Sequence, residues 1–213
     1  MLRWRRIEIS GGFLLLWAIL YYLDDQGVVL WAILAAVLHE LGHYAAIQAF
    51  GGRIALIRLT CTGAEMVLAA RRPLSKAGQL CAALAGPAVN LILAALSARA
   101  AVVWGETAYL FAGLNLALAI FNLLPVEQLD GGRVFHIIMT LLLPEYWALR
   151  MTRMLSLGIA AALTLLGAVL VLQRGGSFTL LLTALWLLGA SGTSQKAGES
   201  FRRKRRKICL HLR

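Results

Sequence analysis

The sequence predicts an all-α polytopic membrane protein with about six transmembrane helices and a short interfacial β-hairpin after the second helix. Three observations predict it. Hydrophobic residues make up 60% of the 213, and mean hydropathy is +0.76, well above an ordinary soluble domain. Several apolar runs approach or exceed the roughly 20 residues that cross a bilayer as helix. Finally, the Lys and Arg residues, 21 against 10 Asp and Glu, gather between those runs, as cytoplasmic loops do.

Arg3, Arg5 and Arg6 precede an apolar stretch from about Ile7 to Leu23. A basic start and a short apolar core imitate a secretory signal. Asp24-Asp25-Gln26-Gly27 offers no small-residue cleavage site, however, and a second run follows at once. An uncleaved first helix with a cytoplasmic N-terminus is expected. The second span, Val28 to Phe50, then runs inward and ends at Gly51-Gly52.

Residues Arg53 to Leu68 are too polar and too β-branched to span. They predict a hairpin at the cytoplasmic interface with its turn near Thr62-Gly63. Such backbone must pack on the bundle or line a wet cavity, and an unpaired edge there can accept an extended peptide. A third span, about Ala77 to Val103, contains Gly86-Pro87-Ala88-Val89-Asn90. Pro87 frees backbone groups, and Asn90 suits a hydrogen bond to a neighbouring helix.

The fourth span starts near Tyr109 and is broken by Pro125. After Val126 to Leu129, Asp130-Gly131-Gly132-Arg133 leads into an apolar helix reaching Leu143. A fifth span is expected over roughly Arg153 to Leu172, and a short sixth from Phe178 to about Ala190. The membrane domain is thus residues 1–190, and residues 191–213 form a basic cytoplasmic tail suited to anionic lipid head groups. On this topology 19 of the 21 Lys and Arg lie inside, with Arg99 and Arg174 toward the outer face.

Composition also excludes some classes. Cys61, Cys81 and Cys209 are odd in number and lack C-x-x-C spacing, so neither a disulfide framework nor a zinc ribbon is expected. No aromatic interleaving accompanies the basic tail, so nucleic acid is not an expected partner.

The chemistry concentrates in His39-Glu40-Leu41-Gly42-His43, inside the second span. Positions i and i+4 share a helix face, so His39 and His43 point the same way. Two imidazoles so placed can hold one zinc ion, with Glu40 beside the open coordination position to take a proton from water. With 4 His and 7 Glu in the chain, chance supplies roughly 0.0025 such matches. Two histidines and a carboxylate at membrane depth also cost several kcal/mol unless they face a polar interior. The bland alternative is three polar residues at an internal helix contact.

A catalytic zinc takes three protein ligands. Glu65, Glu127, Asp130, His136, Glu145, Cys61 and Cys81 are all candidates for the third, and spacing does not choose among them. Asp130 follows a chain break beside a cytoplasmic-side span and precedes two glycines that permit close backbone approach. It serves equally well as the N-cap of a helix beginning near Gly131. His136 and His211 read as ordinary polar residues.

Three motifs, HELGH in the second span, Gly86-Pro87-x-x-Asn90 in the third, and Asn122-x-x-Pro125-x-x-x-Leu129-Asp130-Gly131 after the fourth, together resemble the site-2 protease family of intramembrane zinc metalloproteases. The compact six-span form resembles the bacterial subgroup that includes a sporulation sigma-factor-processing protease. The resemblance implies one zinc ion per chain, with His39, His43 and Asp130 as its ligands and Glu40 as catalytic base. It places Asn122 and Pro125 beside the scissile peptide, Thr62 and Gly63 on the substrate-holding hairpin, and Gly86, Pro87 and Asn90 in support. It further implies a bacterial cell membrane, a membrane-associated protein substrate, a regulatory membrane protein as partner, and both termini in the cytoplasm. Two rivals use similar residues. A prenyl-protein-type peptidase would draw its third ligand from a downstream glutamate such as Glu145. A zinc transporter would need polar groups staged through the full membrane depth, and the outer halves of these spans are almost wholly apolar.

Overall fold

The described residues of the computed structural model are 2–4, 7–22, 24–60, 63–68, 74–174, 184, 185 and 187. They form six helices and four strands in two compact units, Met1–Leu123 and Leu124–Arg213.

The first unit opens with two short strands, β1 (Leu2–Trp4) and β2 (Ile7–Ile9), followed by α1 (Gly11–Tyr22). This corrects the expected first span from Ile7 to Leu23. At 12 residues α1 is about 18 Å long, short of the roughly 30 Å hydrocarbon core. The cause lies in residues 2–9, where apolar Leu2, Trp4, Ile7 and Ile9 are interspersed with charged residues in the strand manner.

Helix α2 (Val28–Ala49) begins beneath Asp24, whose carboxylate accepts from the backbone N–H of Val28 at 3.0 Å and of Val29 at 2.7 Å. Those are donors a helix start leaves unpaired. The expected hairpin follows as β3 (Ile54–Thr60) and β4 (Gly63–Leu68), antiparallel, with Thr60 opposite Gly63. It does not stand alone. The sheet runs β1-β2-β3-β4, with β2 parallel to β3 and Glu8 accepting from Arg58 Nε at 3.2 Å across that pair. The chain is therefore mostly helical rather than all-α. The turn residue Thr62 lies outside the described residues.

Helix α3 (Lys76–Trp104) starts at Ser75, whose hydroxyl accepts from the N–H of Gly78 at 3.1 Å, and runs through Pro87 without a break. Helix α4 (Glu106–Asn122) turns back at Gly105, whose φ of 67° lies in the left-handed region. Helices α2, α3 and α4 pack pairwise. Their contacts are made by small residues: Ala35, Ala82, Ala83, Ala94, Ala112 and Ala119 are buried. A Cβ added to Gly42 would lie 2.9 Å from both the Ala85 carbonyl oxygen and Val89 Cγ2, so α2 and α3 approach at glycine distance. Leu30, Leu34, Leu91, Ile92 and Leu96 face outward on the same helices, as lipid-exposed residues must. A smaller cluster of Ile47, Ile54, Leu74 and Ala82 ties the sheet to the C-terminal end of α2 and the N-terminal end of α3.

The second unit holds α5 (Asp130–Leu142) and α6 (Glu145–Arg174). The latter begins eight residues before the expected fifth span, because the Pro144 carbonyl accepts the first amide bonds, from Trp147 and Ala148. Ala148, Thr152, Ser156 and Ala160 form a buried stripe of small residues along α6. Three helices, α2, α3 and residues Glu145–Gln173 of α6, are long and apolar enough to cross a membrane. The expected sixth span and the tail at 191–213, with His211 and Cys209, fall almost wholly or wholly outside the described residues.

Candidate metal centre

In the first unit, one face of α2 carries His39 and His43, both buried. The His43 Nδ1–H donates to the carbonyl oxygen of Ala82 on α3 at 2.7 Å. That bond fixes the tautomer and leaves Nε2 as a lone pair. His43 Nε2 lies 3.1 Å from His39 Nε2, and the two rings are nearly perpendicular. Two nitrogens each 2.0–2.1 Å from a tetrahedral zinc are about 3.3 Å apart, so this separation is close to that of two ligands on one ion. Gly86 makes the room. A Cβ there would overlap His43 Nε2 and come within 2.6 Å of His43 Cε1 and 2.8 Å of His39 Cε1. The glycine of the third span is thus the floor of a cradle for both imidazoles.

Asn90, one turn along α3 from Gly86, is fully buried, and neither its amide nitrogen nor its amide oxygen has a hydrogen-bond partner among the described residues. The expected bond to a neighbouring helix is not formed. Asn122, the last residue of α4, donates to the Leu118 carbonyl at 3.0 Å. One amide hydrogen and the amide oxygen remain for a ligand.

In the second unit, Asp130 is the first residue of α5 rather than its N-cap, which is Leu129. Its carboxylate therefore does not cap the helix, and the first turn favours negative charge there. Asp130 is buried, with Arg133 Nη1 3.9 Å from one oxygen. Its position is fixed by tight packing of the preceding loop. A Cβ on Gly132 would overlap the Val126 carbonyl and sit 2.8 Å from the Glu127 nitrogen. Ser156 of α6 accepts from the Glu127 N–H at 3.1 Å. Pro125 is half-buried at the start of the same loop.

His39 and His43 of the first unit each offer a ring nitrogen, and Asp130 of the second unit offers a carboxylate. Imidazole nitrogens are donors of the catalytic-zinc kind, and the Gly86 cradle leaves them accessible, so the histidine pair fits a zinc site. Of the other third-ligand candidates, Glu145 and Cys81 are exposed, His136 and Glu127 are half-buried, and the side chains of Cys61 and Glu65 lie outside the described residues.

Glu40 opens into a cavity of about 470 Å³. The same face of α2 supplies Ile33, Ala36, Val37, Leu41 and Tyr44 to its wall. No sequence signal located this space, because it depends on how the sheet covers α2.

A helix carrying the HExxH pattern of zinc metallopeptidases therefore packs on a glycine cradle, beside helices long and apolar enough to cross a membrane. The model of peptidase family M50 matches residues 97–166. A zinc metalloprotease of Methanocaldococcus jannaschii is 29% identical over 147 residues, 63% of this chain and 42% of the relative. Stage IV sporulation protein FB of Bacillus subtilis is 32% identical over 130 residues, 59% of this chain and 44% of the relative. The chain thus matches less than half the length of each of these curated relatives. The solved site-2 protease from M. jannaschii has the same fold, with a TM-score of 0.65 at 24% identity over 91% of this chain and 93% of that one. Over residues 97–166 the chain is thus similar to peptidase family M50, and its fold is that of the solved site-2 protease.

Proposed function

We propose that the chain is a zinc-dependent intramembrane endopeptidase that cuts a membrane-associated protein near the cytoplasmic face. The observation that carries this is the arrangement on α2: His39 and His43 present two ring nitrogens 3.1 Å apart, and Glu40 between them in sequence opens into a cavity large enough for substrate. When bound, zinc supplies Lewis-acid activation of water and of the scissile carbonyl. His39 and His43 would hold it with Asp130 as third ligand, and the Ala82 carbonyl keeps His43 in the ligating tautomer.

Glu40 takes the proton of the attacking water and returns it to the leaving amine. Among the described residues β4 is an edge strand, and its outer backbone groups pair with an extended segment from Gly63 onward, while Thr62, Asn122 and Pro125 contact the reacting peptide. A helical substrate has its carbonyls tied up internally, so it unwinds before attack, and helix-breaking residues near the cut are expected. The natural substrate is a membrane-tethered regulator, controlled by a second membrane protein. This reading places both termini on the cytoplasmic side of a bacterial cell membrane.

Two variants test the mechanism in the purified full chain. Glu40→Gln retains zinc and loses at least about 100-fold in proteolysis, whereas His43→Ala loses both. Undiminished cleavage by Glu40→Gln overturns the mechanism.

A further inference from the structure

The cavity beside Glu40 has a construction that the peptide-cutting reading leaves unused. Its floor is a single stripe of α2, spaced three and four residues apart. Its roof is one face of the sheet: Ile57 and Leu59 are two residues apart on β3, and Met66 stands directly opposite Ile57 on β4. Residues so related project to the same side of a sheet. Trp17 of α1 joins the lining, in which Glu40 is the only carboxylate among the described residues.

We propose that this cavity is the pocket that selects the substrate, by accepting a large aliphatic or aromatic side chain next to the scissile bond. The inference rests on the endopeptidase reading and adds its specificity. A segment paired with the outer edge of β4 turns every second side chain to the Met66 face, and hence into the cavity. The next residue points away and is unselected. At about 470 Å³ the space exceeds one side chain and receives two, spaced i and i+2 along the segment. Charged side chains are excluded, because they would lie unpaired among apolar groups beside the Glu40 carboxylate.

The test uses zinc-loaded full chain in detergent and a library of single-span reporter proteins randomised at six consecutive juxtamembrane positions. Mass spectrometry reads the cut site and the residues around it. The native chain selects Leu, Met or Phe at two alternate positions. Ala36→Leu fills the cavity at a helix position that tolerates leucine and shifts the preference from Leu toward Ala by at least about 10-fold in relative kcat/KM. Val37→Ala enlarges it and shifts the preference toward Phe and Trp.

An independent readout is disulfide trapping in the Glu40→Gln background, with Met66→Cys and a cysteine scanned through one reporter. Trapping peaks at alternate substrate positions. Unchanged preference in both cavity variants, or trapping without alternation, overturns the inference even if cleavage is intact; that is also the result if lipid chains fill the space. Absence of cleavage by the native zinc-loaded chain removes the endopeptidase reading itself.

Discussion

The Nδ1 of His43 sits 2.7 Å from the carbonyl oxygen of Ala82, so a backbone atom of α3 sets the protonation geometry of a ligand carried by α2. One turn further along α3, Gly86 leaves the space in which both imidazoles stand. The registration of two helices, rather than any single side chain, therefore prepares the metal centre.

Gly86→Ala tests that registration. The added Cβ meets ring atoms of both histidines, and the two helices are already at glycine distance at Gly42, so neither can retreat cheaply. Zinc affinity is expected to fall at least about 10-fold while helix content measured by circular dichroism is retained. Native zinc affinity in this variant would show that the rings have room to move.

Removing the metal tests the donor set. Chelation abolishes proteolysis, and added zinc restores it. Magnesium does not, because imidazole donors suit zinc and a hard cation seeks oxygen. Full activity in metal-free protein, verified by elemental analysis, would contradict the assignment.

Ser156→Ala tests how Asp130 is held. The variant strips the Glu127 amide of its acceptor at 3.1 Å, and an amide left unpaired there costs about 1–3 kcal/mol. The loop leading into α5 loosens, and zinc affinity is expected to fall about 10-fold by calorimetric titration, although Ser156 itself is no ligand. Equal affinity would mean that Gly132 and the Val126 contact suffice to fix the loop.

Much of this was legible in the sequence, for identifiable reasons. The HELGH pair was legible because helical spacing alone puts two histidines on one face within an apolar run. The boundaries of α2 and α3 agree with expectation within one residue, since both are long, apolar and bounded by glycine or a serine cap. Asp130 was not separable by spacing from six other residues, because a carboxylate on a distant loop leaves no local period. The span expected from about Ile7 to Leu23 is shorter than its apolar content suggests, because Ile7 to Ile9 pair in a sheet, where Glu8 meets Arg58, and the helix begins only at Gly11. The cavity beside Glu40 was beyond reach, since it arises where that sheet lies over α2.

Asn90 supplies the last prediction. Its side chain is wholly buried, yet neither amide atom has a hydrogen-bond partner among the described residues, a condition that costs about 1–3 kcal/mol. A group that stabilised the bundle would be bonded, so stability alone does not account for an amide at this position. Leucine has a similar volume and carries no polar atoms to desolvate. Asn90→Leu is therefore expected to leave the melting temperature unchanged or raise it, while lowering kcat through the lost amide dipole one turn from the imidazole cradle. Native kcat together with a higher melting temperature would reduce Asn90 to a packing residue, whereas a lower melting temperature would reveal a structural bond to the amide.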